Sequence, residues 1–275
     1  MIRTTHEQLV LYSFPHLESA GAHNSVSTRH GGVSSGPFAS LNVGYSVGDD
    51  SALVETNRRR LYEGAGTDVY SVVTCHQVHS TNVAYVGDGA RGRGALSATN
   101  TIPTTDALMT DRSNLYLFLR FADCVPILFC DPQRKVVALA HAGWKGTVGD
   151  IVGATVKAMT RQFSCAPRDI LAAIAPSIGP DHYEVKEDVA KQVRDALPFW
   201  GDVLHPHAKG SLMLDLPEAN RRLLLAAGLT ESSIVMSGMC TACHTDDFYS
   251  HRAENGKTGR FGVLIGWVGN GRQRD

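Results

Sequence analysis

The chain has 275 residues, of which 43% are hydrophobic and 19% are charged, and its formal net charge is −1. This composition is typical of a globular protein with a sizeable core, and the near-neutral charge gives no electrostatic reason to expect a nucleic-acid or membrane partner. The first residues lack the apolar core of a signal peptide, so we expect a cytoplasmic protein whose six cysteines are thiols or metal ligands.

Short apolar and β-branched runs recur along the chain and predict strands. They cover residues 9–14, 69–74, 83–86, 107–110, 115–121, 125–129, 136–140, 170–175, 234–236 and 261–268. No repeat or long linker divides the chain, which predicts a single domain over residues 1–275.

Helices are predicted where apolar periodicity and capping residues agree. The clearest begins at Thr147, with Asp150 three residues on in a capping-box-like pattern; another begins at Asp215 and stops at Gly228. Further helices are expected over residues 53–63 and 185–196. Because strands outnumber helices and often follow one another, we expect mixed sheets with helices outside them.

The segment between Cys124 and His141 predicts a hairpin with Asp131 and Pro132 at the first two positions of a type I turn. If Pro132 and Gln133 form the loop, Cys124 lies opposite His141. Opposed residues of antiparallel strands have Cβ atoms about 5 Å apart. A thiolate and an imidazole at that distance could share a metal ion or form a nucleophile–base pair.

His79 is a candidate third ligand, because it also lies between two predicted strands. Two histidines and a cysteine leave one tetrahedral position open, as in catalytic zinc sites. His76 competes with His79, since residues three apart in an extended segment face opposite ways. Asp123 is a candidate acid/base group, but needs a local bend to face the site. The alternative without a functional site is that Cys124 is a buried structural thiol and that His141 is a histidine held by ordinary hydrogen bonds.

Several cations are candidate anion contacts. Lys145 lies in a glycine-flanked turn at a predicted helix start, and Arg29 precedes a glycine-rich loop. The polar segment 248–261 supplies Arg252, Lys257 and Arg260. Residues 240–244 have the Cys-x-x-Cys-His spacing of a haem-attachment motif. Haem attachment would require an exported protein with a distal axial ligand. We therefore favour the interpretation that these two cysteines are free thiols or metal ligands.

Together these segments resemble the laccase-domain, or multicopper polyphenol oxidase-like, family over nearly the whole chain. The most specific matches are Ala122-Asp123-Cys124-Val125-Pro126 and His141-Ala142-Gly143-Trp144-Lys145-Gly146; further matches include residues 28–34, 40–44, 57–58, 77–79, 105–108 and 248–260. The resemblance implies a metal site of His79, Cys124 and His141. It also implies an α+β fold, a layered α/β/β/α sandwich with mixed sheets like the catalytic domain of cytotoxic necrotizing factors.

Members of this family are regarded as purine nucleoside phosphorylases with adenosine deaminase activity. The resemblance therefore implies a zinc enzyme that phosphorolyses adenosine, inosine and methylthioadenosine and deaminates adenosine hydrolytically. Cys124 and Asp123 would lie at the catalytic centre. The candidate contacts to the nucleoside and phosphate are Arg29, Asn42, Arg58 and Lys145.

Three alternatives stay open. Cys124 could be the nucleophile and His141 the base of a cysteine hydrolase. A copper-dependent polyphenol oxidase is disfavoured, because multicopper oxidases need several His-x-His pairs and this chain has only residues 205–207. The third is a non-catalytic binding protein that keeps zinc for stability.

Overall fold

The computed structural model describes residues 1–207 and 210–269, so the predicted domain boundary at residue 275 lies outside the described residues. In the described ranges the α-helices are α1 (Pro15–Ser19), α2 (Ser51–Gly64), α3 (Trp144–Val148), α4 (Ile151–Phe163), α5 (Glu187–Ala196) and α6 (Leu216–Ala226). The β-strands are β1 (Ile2–His6), β2 (Leu9–Ser13), β3 (Ala22–Ser27), β4 (Val72–Thr74), β5 (Val83–Tyr85), β6 (Ala107–Thr110), β7 (Tyr116–Phe121), β8 (Val125–Asp131), β9 (Val136–Ala142), β10 (Leu171–Ile174), β11 (Glu184–Val185), β12 (Leu204–Pro206), β13 (Leu212–Leu214), β14 (Ile234–Met236) and β15 (Phe261–Trp267).

Two six-stranded mixed sheets form the centre of the molecule. The first has the order β1-β2-β3-β15-β7-β4 and the second β14-β10-β8-β9-β6-β5, while β11, β13 and β12 form a small third sheet. Most neighbours are antiparallel, but β4 with β7, β5 with β6 and β10 with β14 are parallel. The expected α+β class with mixed sheets is confirmed.

Side-chain alternation along the strands assigns each face of the two sheets to a different layer. In β9, Val137 and Leu139 belong to the apolar cluster shared by the two sheets, whereas Val136, Ala138 and Ala140 pack beneath α4, α5 and α6. The outer face of the first sheet packs against α2. The layers therefore follow the order helix, sheet, sheet, helix. The likeness to cytotoxic necrotizing factors stays a prediction.

The structure differs most from the sequence-based predictions at strands that contain polar residues and at the ends of helices. The central strand β3 was missed because Asn24 is buried in it, where its side chain hydrogen-bonds both the N–H and the C=O of Phe14. The predicted helix from Thr147 is in fact two helices. Asp150, with a φ of 61°, separates α3 from α4 and caps α4 by accepting the N–H of Gly153 at 2.8 Å. Residues 69–71, expected in a strand, form a 3₁₀ turn before β4.

The predicted register of the β8–β9 hairpin is wrong by two residues. Asp131 pairs with Val136, because its carboxylate accepts the N–H groups of Gln133 and Arg134 and organises a four-residue loop. His141 therefore pairs with Pro126, and Cys124 lies just beyond the last pair. A shift of two residues preserves which face each side chain occupies, so Cys124 still approaches His141.

No described helix, over residues 1–207 and 210–269, combines the length and apolar character that a membrane crossing requires.

Candidate metal centre

His79, Cys124 and His141 form a cluster at the C-terminal end of β9. Each offers one ligand atom, and the three atoms lie within 4.8 Å of one another. The Cys124 Sγ and His79 Nε2 atoms are 3.9 Å apart. Ordinary zinc–sulfur and zinc–nitrogen bonds in a tetrahedron place such atoms about 3.6 Å apart, so a small side-chain movement suffices to bind an ion.

His141 is oriented by the carboxylate of Asp106. Its Nδ1 donates to Asp106 Oδ1 at 2.9 Å, and its backbone N–H donates to the Asp106 carbonyl at 2.8 Å. Both residues are buried. With Nδ1 protonated, Nε2 is the ring nitrogen available to a metal, which is the usual arrangement of a carboxylate behind a metal-binding histidine.

The same carboxylate shapes the turn that presents His79. Asp106 accepts the backbone N–H groups of Val78, His79 and Ser80 at 3.1, 3.0 and 2.7 Å. His79 has a φ of 61°, a left-handed conformation that these three hydrogen bonds stabilise. His76 is exposed and does not line the cavity that opens onto the cluster. The structure therefore places His79, and not His76, in the cluster.

A backbone bend before β8 brings Asp123 to the same side as Cys124. Asp123 has a φ of 84°, which breaks the strand alternation that would have turned it away. Its Oδ1 accepts the hydroxyl of Thr241 at 2.7 Å, and its Oδ2 accepts the N–H of Arg252 at 2.6 Å. The carboxylate thereby joins three separate segments at the cavity.

Position 143 requires a glycine, because the backbone there passes close to the side chains of the cluster. A Cβ atom at this position would lie 2.9 Å from Cys124 Sγ and 2.9 Å from His79 Cδ2. Its φ of −74° is accessible to any residue, so the requirement for glycine is steric.

Electrostatics favour a thiolate beside an imidazolium when no metal is bound. Burial alone would raise the pKa of Cys124, but His141 and His79 outweigh it and lower the pKa to about 6. Burial alone would lower the pKa of His141, but Cys124 and Asp106 raise it to about 9. For Asp106, burial is outweighed by hydrogen bonds from His141 and Ser80, which hold the pKa at about 2. A deprotonated thiol is the form that binds metals or attacks electrophiles.

A cavity of about 350 Å³ opens onto the cluster. This volume is in the range of small-molecule sites. Three arginines line it, Arg120, Arg252 and Arg260, as do Asp123 and Tyr183. Burial lowers the pKa of Arg120 to about 10 and lowers that of Arg260, yet an arginine with a pKa near 10 remains a cation at neutral pH. The cavity thus combines a metal-ligand set with positive charge.

The four residues expected to contact substrate lie outside this cavity lining. Arg58 and Asn42 are fully buried, and their contact with substrate stays a prediction. Arg58 donates to the carbonyls of Val43, Gly94 and Ala95, and Asn42 bridges residues 44, 49 and 260.

Arg29 is held away from the cavity by the carbonyls of Ala39 and Thr245 and by Glu254. Lys145 is exposed, with its ammonium 5.7 Å from the Trp144 ring. The structure does not bring either residue to the metal cluster.

Asp106, Arg120 and Tyr183 were missed by the analysis of the sequence. Asp106 lies in one of the segments that carry the family resemblance, which was a usable signal. Tyr183 lies in another such segment, residues 183–185, so the same signal was present there. Arg120 lies just before the end of the apolar strand β7, and no local pattern marks it as a site residue. Arg252 and Arg260 were predicted as anion contacts, and both line the cavity.

The family model described as "Multi-copper polyphenol oxidoreductase laccase" matches residues 23–268. This range contains all three residues of the cluster.

Individual proteins match over most of their length. The chain is 44% identical over 252 residues to "Purine nucleoside phosphorylase YlmD" of Geobacillus stearothermophilus, covering 90% of each chain. It is 36% identical over 224 residues to "Adenosine deaminase RL5" of an unknown prokaryotic organism, covering 81% of this chain and 85% of that protein. The crystal structure of YlmD from Geobacillus stearothermophilus superposes with a TM-score of 0.92 and 42% identity, over 98% of this chain and 99% of that one.

Proposed function

The chain belongs to the multi-copper polyphenol oxidoreductase laccase family, and we propose that it is a zinc-dependent purine nucleoside phosphorylase that also deaminates adenosine. Its proposed substrates for phosphorolysis are adenosine, inosine and methylthioadenosine. The observation that carries the proposal is the His79–Cys124–His141 cluster, which opens onto a cavity with three guanidinium groups. Relatives named purine nucleoside phosphorylase and adenosine deaminase support the same substrate class.

The donor set fits zinc better than a multicopper centre. Two imidazoles and one thiolate suit zinc and leave a fourth position for water or substrate. In the described residues, neither of the two His- and Cys-containing clusters has more than two histidines, whereas multicopper oxidases need several histidine pairs. A zinc ion at this site would supply Lewis-acid polarisation of a water molecule or substrate atom.

For phosphorolysis, the residues must hold phosphate against C1′ of the ribose. A phosphate oxygen forms a bond to C1′, the bond from C1′ to the purine nitrogen breaks, and the departing base takes up a proton. The products are the free base and ribose 1-phosphate, or 5-methylthioribose 1-phosphate when the substrate is methylthioadenosine. Arg120, Arg252 and Arg260 are the guanidinium groups positioned to bind the phosphate and to stabilise its charge. They replace Arg29, Arg58 and Lys145 as the proposed anion contacts.

For deamination, water must add at C6 of adenine and ammonia must leave. Asp123 is the carboxylate that lines the cavity beside Cys124, and we assign it the transfer of protons between water and the departing amine. Its two hydrogen bonds, from Thr241 and Arg252, hold it in position for that role.

A cysteine hydrolase is the second candidate function, because the pKa of Cys124 is lowered to about 6 beside His141. This function needs no metal and gives His79 no chemical role. Metal content therefore separates the two functions. About one zinc per chain at this cluster, lost in His79→Ala together with activity, supports the nucleoside enzyme. Activity that survives complete removal of metal supports the hydrolase.

The decisive experiment incubates zinc-loaded protein with adenosine, inosine and methylthioadenosine, with and without phosphate, and separates the products by chromatography. Free base should form only when phosphate is present, whereas inosine should form from adenosine even when phosphate is absent. His79→Ala should abolish both reactions, whereas His76→Ala, its exposed neighbour outside the cavity, should keep them. No base and no inosine from any nucleoside would refute the proposal.

A further inference from the structure

A second cluster of metal-ligand side chains lies apart from the first. His182, Cys240 and Cys243 offer ligand atoms within 4.8 Å of one another. Cys240 and Cys243 have the Cys-x-x-Cys spacing found in zinc sites, and His182 comes from a loop 58 residues before Cys240. The fold, and not the local sequence, brings these three residues together.

The geometry points to a second zinc site at His182, Cys240 and Cys243, which fixes the wall of the active-site cavity. The Nδ1 atom of His182 lies 3.8 Å from Cys240 Sγ and 3.6 Å from Cys243 Sγ. These separations agree with the roughly 3.6 Å between nitrogen and sulfur ligands of one tetrahedral zinc. One N–H group cannot direct its hydrogen at both sulfurs, so a shared cation satisfies the three groups better than a hydrogen bond.

The surroundings of Cys240 suit a thiolate that binds a metal. The backbone N–H of Gly179 donates to Cys240 Sγ at 3.2 Å, a contact that stabilises negative charge on sulfur. His182 and Cys243 are exposed and Cys240 is partly buried, so an ion can enter from solvent and water can complete the tetrahedron. Thiolate and imidazole ligands together favour zinc over magnesium or calcium, which prefer oxygen.

Hydrogen bonds connect this cluster to the cavity. Thr241, between the two cysteines, donates its hydroxyl to Asp123 at 2.7 Å. Arg252 donates from its side chain to the carbonyl of His182 at 3.3 Å and from its backbone to Asp123 at 2.6 Å. The Arg252 guanidinium also lies 5.1 Å from the ring centre of Tyr183, which follows His182 directly. A zinc at the second cluster would therefore hold Asp123, Tyr183 and Arg252 in place.

Zinc content of the reduced protein tests the assignment. After loading with zinc and removal of free metal, the wild type should contain two zinc ions per chain and Cys243→Ser one. His79→Ala should also contain one, and the double variant none. His205→Asn, an exposed histidine outside both clusters, should keep two. His182→Asn provides an independent variant of the second cluster and should contain one.

Hydrogen exchange tests the structural role, because it does not depend on activity. Residues 177–184 and 240–252 should exchange faster in Cys243→Ser than in the wild type, while His79→Ala should leave them slow. Zinc content that is the same in Cys243→Ser as in the reduced wild type would overturn the assignment, whether that content is one ion per chain or two. One zinc in the wild type that is lost in Cys243→Ser and kept in His79→Ala would support the second site and contradict zinc at the first. A Cys240–Cys243 disulfide that persists under reducing conditions would also overturn it, since oxidised sulfurs cannot bind the ion. None of these results depends on nucleoside turnover.

Discussion

The carboxylate of Asp106 accepts a hydrogen bond from Nδ1 of His141 at 2.9 Å. It also accepts the backbone N–H of His79 at 3.0 Å and so fixes the turn that carries this second metal-ligand candidate. One buried side chain thus positions two of the three members of the cluster. The carboxylate accepts five hydrogen bonds, from Nδ1 of His141, the backbone N–H groups of residues 78–80 and the hydroxyl of Ser80. These donors favour the ionised form, which is why the pKa of Asp106 stays at about 2 despite burial.

Replacing Asp106 with Asn should weaken zinc binding at the first cluster by about 10- to 100-fold. The amide of Asn keeps the size of the carboxylate, but its NH₂ group would face N–H donors of the turn. Competition with a chromogenic chelator measures the affinity. Asp195→Asn, a surface residue paired with Lys191, is the control and should bind zinc normally. Unchanged affinity in Asp106→Asn would show that the cluster is held by other contacts.

Replacing Gly143 with Ala should weaken the same site by about tenfold or more, because a new methyl group 2.9 Å from Cys124 Sγ and His79 Cδ2 forces the ligands apart. The backbone accepts alanine here, so the protein should still fold. Gly89→Ala is the matched control, since nothing lies within 4 Å of an added Cβ at that position. Chelator competition and circular dichroism distinguish lost affinity from lost structure. Equal affinities in the two variants would contradict the steric argument.

Replacing Arg58 with Met should destabilise the protein by about 3 kcal/mol, because three buried carbonyl groups lose a charged donor. Urea unfolding measures this difference. Arg59→Met is the neighbouring control. Its side chain is 55% exposed and pairs with Glu55, so the change should be less than about 1 kcal/mol. If Arg58→Met left stability unchanged and only weakened phosphate binding, the original assignment of Arg58 as a substrate contact would be correct.

Replacing Arg260 with Gln should raise the KM for phosphate by about 10- to 100-fold, the loss expected for one charged hydrogen-bond donor. Arg260 lines the cavity beside the cluster, whereas Lys145 does not. Lys145→Gln is therefore the comparison variant, and its KM for phosphate should match the wild type. Initial rates at varied phosphate and saturating inosine measure both. A larger effect in Lys145→Gln would place the phosphate at the helix entrance instead.

Residues whose role depends on local pattern were predicted well from the sequence. The bounds of β6 and β14 and the cap of α6 at Asp215 agree with the structure, because apolar runs and capping geometry act over a few residues. Cys124 and His141 were predicted to lie close together although the predicted register was wrong, because a shift of two residues leaves both side chains on the same face. His79 was predicted as the third ligand from its place between two strands. The resemblance to a known family supported the same trio.

Residues whose role depends on distant contacts were not predictable in this way. Arg58 and Lys145 are both cations near motif segments, and only the fold shows that one is fully buried and the other exposed. His182 is separated from its cluster partners by 58 and 61 residues, so no spacing rule joins them. The register of the β8–β9 hairpin depended on Asp131, whose side chain accepts two loop N–H groups and lengthens the loop.

Glu218 gives the protein an acid-dependent contribution to stability outside the site. It accepts hydrogen bonds from Arg221 and Arg222, which in turn pair with Glu231 and Asp202. The network therefore ties α6 to two short 3₁₀ helices, residues 200–202 and 231–233. The Arg221 guanidinium, followed by that of Arg222, lowers the pKa of Glu218 below its usual value of 4.5. Because the folded-state pKa is below the unfolded one, the stabilisation is present above about pH 4.5 and is lost as the pH falls further.

Glu218→Gln should therefore be less stable than the wild type by about 0.5–1 kcal/mol at neutral pH, the range for a partly exposed charge network. The difference should shrink as the pH falls from about 5 to about 3, because protonation removes the charge from the wild type as well. Urea unfolding across this range measures it, and Glu63→Gln, at an exposed position of α2, is the control. A difference that stays constant with pH would mean that Glu218 stabilises the network through hydrogen bonds that do not need its charge.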